Sequence, residues 1–331
     1  MTDHTTVAPL FRTPVCRLVL LLLFALGTTA LQAEPAAPAT EARAAIGWKL
    51  FFDTQLSRNN NVSCATCHDP LHAYSDGQRF STGTHGNLLS RNTPTIINLH
   101  SATQFFWDGR ASTLEEQAEG PLTHPLEMDM ALDEVSARVQ SDPDYRKAFA
   151  AIGVQQIGIA DINGALADYQ RSLRSGENAY DRWLQGETDA LDKSQSNGRF
   201  LFFTRGQCAT CHIGTEFTDY RLHNVGTGTL DDPGRYTITG AEEDRGLFKT
   251  PSLRNWKGSE PFMHDGRFAS MEEVIDFYAD PPPPEVGKSE LDPLRFSARD
   301  KRDLLAFMDA LNGSWPDLAR YEEAWQQLLE R

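Results

Sequence analysis

The chain is poor in cysteine and in positive charge. Only five of its 331 residues are Cys, and 31 Lys and Arg stand against 46 Asp and Glu, a formal net charge of −15. Such a surface repels a phosphate backbone and carries no basic stripe to offset the repulsion, which excludes nucleic acid as a partner. Long hydrophobic runs are missing too. The uninterrupted apolar run from Leu18 to Leu26 is far shorter than the roughly 20 residues that a membrane-spanning helix needs, so stable membrane insertion is not expected. Against these absences, 40% hydrophobic and 10% aromatic content excludes disordered and fibrous classes and is enough to build two cores.

Arg12 and Arg17 precede the apolar run, and small residues follow it up to Ala33. This is the pattern of a secretory signal peptide, with cleavage expected after Ala33 and Ala30 as second choice. Residues 1–33 are then a leader and the mature protein is periplasmic. Cys16 leaves with the leader and has no lipobox around it.

The four other cysteines all sit in two copies of one pentapeptide, Cys64-Ala-Thr-Cys67-His68 and Cys208-Ala-Thr-Cys211-His212. That pentapeptide is the attachment signature of c-type haem. Two thiols three positions apart can add to the two vinyl groups, and the next residue presents an imidazole to the iron. A zinc site and a thioredoxin-like redox pair are the rival readings. Zinc ligand pairs sit much closer together than the 144 residues that separate these, and neither rival needs a histidine after each second cysteine. Two covalent haem c groups are expected, with His68 and His212 as iron ligands.

The chain also repeats itself. Gly47 to Phe52 before the first motif matches Gly198 to Phe203 before the second. After the motifs, Thr93 to Asn98 matches Thr250 to Asn255 at an offset of 157, and the same offset pairs Phe106 to Arg110 with Met263 to Arg267. Apolar spacing near 3.6 predicts helices over Ala44–Phe52, Asp161–Leu173, Ser297–Leu311 and Leu318–Leu329. Pro143 interrupts the stretch Leu132–Ala151, and prolines 281 to 284 end the helix holding Glu272–Tyr278. The Gly-, Asn- and Thr-rich segments after each motif read as loops. The fold class expected is mainly α, as two tandem cytochrome c-like domains over residues 34–186 and 187–331, each carrying one covalently bound haem c.

In Leu50-Phe51-Phe52-Asp53, Arg91-Asn92-Thr93-Pro94, Phe106-Trp107-Asp108-Gly109-Arg110, Gln117-Ala118, Leu126-Glu127-Met128 and Phe248 to Asn255, the chain resembles the bacterial dihaem cytochrome c peroxidase family, which includes MauG. The resemblance covers nearly all of the mature chain. It implies a periplasmic enzyme whose N-terminal haem reacts with hydrogen peroxide and whose C-terminal haem passes electrons to it. It further implies Glu127 as acid/base, Gln117 as the group positioning peroxide, Trp107 as the bridge between haems, and His85 in the loop that holds a removable distal ligand. An interdomain calcium would take the side chain of Asn92 and the carbonyls of Ser259 and Pro261, oxygen donors that suit this ion. Histidines 72, 100, 124 and 223 are expected to be structural or exposed.

The 157 offset sets Pro121 against Tyr278. Proline cannot bind iron whereas a phenolate can, so the first haem keeps an open sixth position and the second can be closed by Tyr278. Family peroxidases have methionine there; tyrosine is the MauG-like pattern. Met271 pairs with Leu114 and reads as core. Three functions follow: a peroxidase supplied by a cytochrome c or cupredoxin donor, a MauG-like oxidase of a partner protein, and a dihaem carrier without chemistry of its own. The carrier would need both irons closed, which the asymmetry opposes. A homodimer is among the expected assemblies.

Overall fold

The computed structural model describes residues 38–330, so the signal-peptide reading lies outside the described residues. The elements are helices, one-turn segments and long loops. In chain order they are α1 (Pro38–Phe51), α2 (Cys64–Cys67), α3 (Leu114–Thr123), α4 (Leu132–Ser141), α5 (Pro143–Ala151), α6 (Ile159–Ser172), α7 (Ala179–Leu184), α8 (Lys193–Phe203), α9 (Tyr236–Thr239), α10 (Met271–Ala279), α11 (Ala298–Asp309) and α12 (Ala319–Glu330). Among the described residues the only sheet is the antiparallel pair β1 (Leu222–His223) and β2 (Phe248–Lys249), with Leu222 opposite Lys249. The protein is mainly helical with little sheet, as the apolar spacing near 3.6 predicts.

Local chemistry sets the helix boundaries. Asp142 caps α5 by accepting the Asp144 N–H at 2.8 Å, and Pro143 takes the first helical position, where its missing N–H costs nothing. That is why the stretch from 132 to 151 is two helices and not one. Thr113 caps α3 through the Glu116 N–H at 3.1 Å, and Ser270 caps α10 through the Glu273 N–H at 3.2 Å. The two helices begin 157 residues apart, at Leu114 and Met271.

The repeat is present in the backbone as well as in the letters. Isolated bridges Phe105–Ala111 and Phe262–Phe268 stand at the 157 offset, as do the left-handed residue pairs Asn98 and Asn255, Phe106 and Met263, Gly109 and Gly266. Two helix pairs complete the correspondence. In α1, Gly47 lets the helix lie on α6, since a Cβ there would stand 1.9 Å from the Ala165 carbonyl oxygen; Gly198 in α8 does the same against Asp303 of α11, at 1.8 Å.

Each pair anchors one hydrophobic cluster. The first gathers Ile46, Leu50 and Phe51 with Val135, Phe149, Ile162 and Tyr169; the second gathers Leu201, Phe202, Phe217, Trp256, Met271, Leu304 and Phe307. Tyr321, Trp325 and Leu328 of α12 belong to the first cluster, so the core of the first repeat extends beyond the 34–186 segment. The last helix crosses back to pack on α1 and α5.

Candidate functional site

At the first motif, α2 carries Cys64 and Cys67, and His68 follows it with its Nδ1 at 3.0 Å from the Tyr74 carbonyl oxygen. The second motif repeats this, with His212 Nδ1 at 2.9 Å from the Phe217 carbonyl oxygen. When Nδ1 donates to a carbonyl, Nε2 carries the lone pair and is available to a metal. Burial lowers the pKa of both imidazoles and so favours the neutral form that binds metal. Burial also pushes the Cys64 and Cys208 thiols up to about 12, and Cys67 and Cys211 up to about 11. Thiolates are disfavoured at these positions, while neutral thioethers are not. Among the described residues no three His, Cys, Asp or Glu side chains converge as a metal-ligand set, which leaves the zinc reading without its donors.

Above the first motif lies a cavity of about 720 Å³ lined by Cys64, Cys67, His68, Gln117, Pro121 and Glu127, with apolar walls from Phe51, Leu122 and Met128. Its donor set of two sulfurs and one imidazole on one wall fits a covalent haem. Gln117 and Pro121 are one turn apart on α3, so both side chains reach the same wall. Pro121 has no N–H for the Gln117 carbonyl and no donor atom for iron. Glu127 reaches in from the loop after α3. Desolvation raises its carboxyl above the ordinary value, and the cations of His124 and Arg110 pull it back; its Oε1 is 3.6 Å from His124 Nδ1. The expected acid/base and the expected positioning amide thus share one cavity.

His85 does not line that cavity. It is exposed, with Nε2 at 2.9 Å from Asp129 Oδ2 and Nδ1 at 3.3 Å from Asn59 Nδ2. Its loop is fastened to the cavity rim, since the Thr84 N–H donates to the Glu127 carbonyl at 2.8 Å and Gly83 packs on the Leu126 carbonyl, where a Cβ would stand 1.7 Å away.

On α10, at the place that Pro121 holds on α3, stands Tyr278, half-buried. Burial raises its phenol, and the Cys211 and Cys208 sulfurs are near enough to add to the effect. Met271 lies in the second core, as expected, and also contributes to a second cavity of about 740 Å³.

That second cavity draws its walls from both repeats. Asn92, Trp107, Ser259 and Pro261 all line it, which brings the three expected calcium ligands and the expected bridge together. The Trp107 indole N–H donates to the Asn92 carbonyl at 2.8 Å, and the Trp107 carbonyl accepts the Lys249 N–H at 2.7 Å. Arg91 closes the seam by donating to Asp232 at 2.7 Å and to Asp108 at 2.6 Å.

Sequence reasoning missed His264, while His124, expected to be structural or exposed, is exposed. His264 is buried and stacked on Phe248 at 3.7 Å between ring centres, with its edge toward Trp107 at 6.5 Å. Burial lowers its pKa to about 4. The 157 offset pairs His264 with Trp107 and would have identified it. His124 precedes Glu127 by three residues, a spacing that was also legible.

Residues 41–189 match the di-haem cytochrome c peroxidase family. The methylamine utilization protein MauG of Methylorubrum extorquens is 41% identical over 279 residues, covering 83% of this chain and 79% of that protein. The cytochrome c551 peroxidase of Nitrosomonas europaea is 32% identical over 286 residues, covering 83% and 81%. Among solved structures, a MauG-like protein associated with microbial copper homeostasis is 33% identical, with a TM-score of 0.75 over 82% of this chain and 90% of that one. With two attachment motifs in place and a relative 41% identical over most of both chains, this chain belongs to the di-haem cytochrome c peroxidase and MauG family of haem c peroxidase oxidoreductases.

Proposed function

We propose that this protein works in the periplasm, reacts with hydrogen peroxide over its N-terminal motif, and exchanges electrons with a protein partner through its C-terminal motif. The observation that carries this reading is the contrast between Pro121, which lines the cavity with Cys64 and Cys67 and has no donor atom, and its 157-offset counterpart Tyr278, a half-buried phenol on α10.

Haem c bound at each motif supplies a redox-active iron. The chain supplies the rest. Each cysteine pair would hold one haem through two thioethers, and His68 and His212, held by the Tyr74 and Phe217 carbonyls, would present Nε2 to its iron. Gln117 offers its amide to peroxide in a cavity that apolar walls keep dry. Glu127 Oε1 or Oε2 takes a proton from the inner oxygen of peroxide and returns it to the outer one, a task suited to a carboxyl whose pKa burial has raised. Trp107 spans the seam between the two domains, divided near residue 186. Asn92 with the Ser259 and Pro261 carbonyls gives calcium an all-oxygen site in the same cavity.

A phenolate stabilises ferric and higher oxidation states, and this favours a MauG-like oxidase of a protein substrate. A peroxidase fed by a small cytochrome c or cupredoxin is the second reading, favoured by the relatives named as cytochrome c peroxidases. Steady-state peroxide turnover with a reduced periplasmic cytochrome, set beside the spectrum after peroxide alone, separates them. Rapid turnover with the cytochrome selects the second reading. A long-lived spectral change with peroxide alone and slow turnover selects the first. No change in either would refute both.

A further inference from the structure

The two repeats differ in a second way, on the side of each porphyrin where the histidine stands. Tyr74 and Phe217 hold equivalent places, because the carbonyl of each accepts the Nδ1 proton of its motif's histidine. Tyr169 and Phe307 are equivalent too. A Cβ on Gly47 would lie 3.0 Å from Tyr169 Cβ, and one on Gly198 would lie 2.8 Å from Phe307 Cβ. Phe51 stands 5.1 Å from the Tyr169 ring and Phe202 stands 5.3 Å from the Phe307 ring. The rings match, and the first repeat alone adds hydroxyls.

Those hydroxyls are costly where they stand. Tyr74 and Tyr169 are almost fully buried, and their oxygens are 3.5 Å apart, long for an O–H···O bond. The second repeat shows that phenylalanine fills the same space. A phenol differs from a benzyl ring in chemistry as well as polarity, since it can be oxidised by one electron if its proton can leave.

The hydroxyl-bearing rings also lead somewhere. Tyr169 belongs to the hydrophobic cluster against which Cys64 packs, which puts it in the same core as a porphyrin attachment point. Its ring meets Tyr321 of α12 edge-on at 5.1 Å. The Ser172 hydroxyl donates to the Tyr169 carbonyl, which leaves Ser172 Oγ to accept from the Tyr321 O–H at 2.5 Å, while Arg320, itself exposed, donates to the same phenol oxygen at 2.5 Å. Tyr321 is therefore the member of the series whose hydroxyl meets an exposed side chain, next to solvent.

We propose that Tyr74, Tyr169 and Tyr321 form a one-electron relay that carries oxidising equivalents from the N-terminal haem to the surface beneath Arg320 when no partner supplies electrons. The proposal rests on the reading that peroxide reacts at the N-terminal motif. Peroxide needs two electrons and two protons to become two waters. Tyr321 supplies one electron: its O–H bond breaks, the electron passes through Tyr169 toward the haem, the proton leaves to solvent water, and a neutral phenoxyl radical remains, while the two protons that peroxide takes up come from solvent. A small one-electron donor in solvent, a phenol or an enediol, returns an electron and a proton to Tyr321, which then delivers the second electron and is restored by a second donor molecule.

The test mixes the holoprotein with peroxide and no donor, and follows haem absorbance and freeze-quench EPR in parallel. The expected result is a tyrosyl radical signal that ring-deuterated tyrosine narrows and that Tyr321→Phe and Tyr169→Phe abolish. In those variants the haem absorbance recovers more slowly. Both substitutions keep the ring and remove only a hydroxyl, and Tyr180→Phe near the second motif serves as the control that changes nothing. A wild-type protein whose haem responds to peroxide but gives no tyrosyl radical, or a radical untouched by both substitutions, overturns the relay alone. A haem absorbance that does not respond to peroxide overturns the reading beneath it as well.

Discussion

Pro121 and Tyr278 occupy the same turn of two helices that begin behind a hydroxyl cap, Thr113 in one and Ser270 in the other. The caps and the offset fix both residues to the same place relative to their motifs. Two sites built to one plan therefore differ where the sixth iron position would be, and the chemistry of each site follows from that difference.

Glu127→Gln is expected to leave both haems attached and to slow the reaction with peroxide by at least about 10²-fold, the usual cost of losing a general acid/base. Stopped-flow mixing measures it. An unchanged rate would remove Glu127 from the mechanism.

The pH dependence of that reaction has a definite sign. A base works only when deprotonated, so the rate falls as pH drops through the Glu127 pKa, which desolvation holds above the ordinary carboxylate value. His124 opposes that shift, so His124→Asn is expected to move the acid limb to higher pH. A limb that stays in place or moves down would show that His124 does not act on Glu127.

Much of this site is legible in the sequence because haem c attachment is covalent and local. Five residues spell it, and the 157 offset carries the correspondence between domains. What the letters hide is long-range packing. The return of α12 to the first core has no local signal, since its apolar face would suit either core until α1 and α5 are seen beside it. His85 sits in the expected loop, yet its engagement with Asp129 depends on a residue 44 positions away.

Arg91 is expected to hold the two repeats together. It is largely buried and donates to Asp108 and Asp232, and Asp108 is only 2% exposed. Arg91→Met leaves Asp108 to Arg110 alone and Asp232 without its bidentate partner, a loss of about 3 kcal/mol for a broken buried pair. Thermal unfolding of the holoprotein measures it, and a change below about 1 kcal/mol would assign Arg91 to the exposed class of ion pairs.

Calcium and Trp107 are expected to fail together. The indole N–H fixes the Asn92 carbonyl, so Trp107→Phe should lower calcium content as well as slow electron transfer between haems. Chelation of the wild type should slow the same transfer. Metal analysis with rapid kinetics tests both, and peroxide turnover untouched by chelation in a protein without calcium would dismiss the Asn92 site.

The identity of the residue at 278 decides which redox range the second haem works in. An anionic phenolate stabilises the ferric iron, whereas a neutral thioether favours the ferrous form, so Tyr278→Met is expected to raise the reduction potential of that haem. Methionine is close to tyrosine in reach, and the substitution removes a buried hydroxyl, so the fold should tolerate it. Wild-type protein shortly after peroxide should hold two oxidising equivalents across both haems, before any escape to tyrosine, and the variant should not. Redox titration with Mössbauer and EPR spectroscopy on both proteins measures the difference. A wild-type second haem that already titrates at high potential, with the spectrum of a His/Met centre, would sink the Tyr278 assignment and leave the cytochrome-fed peroxidase as the function of this chain.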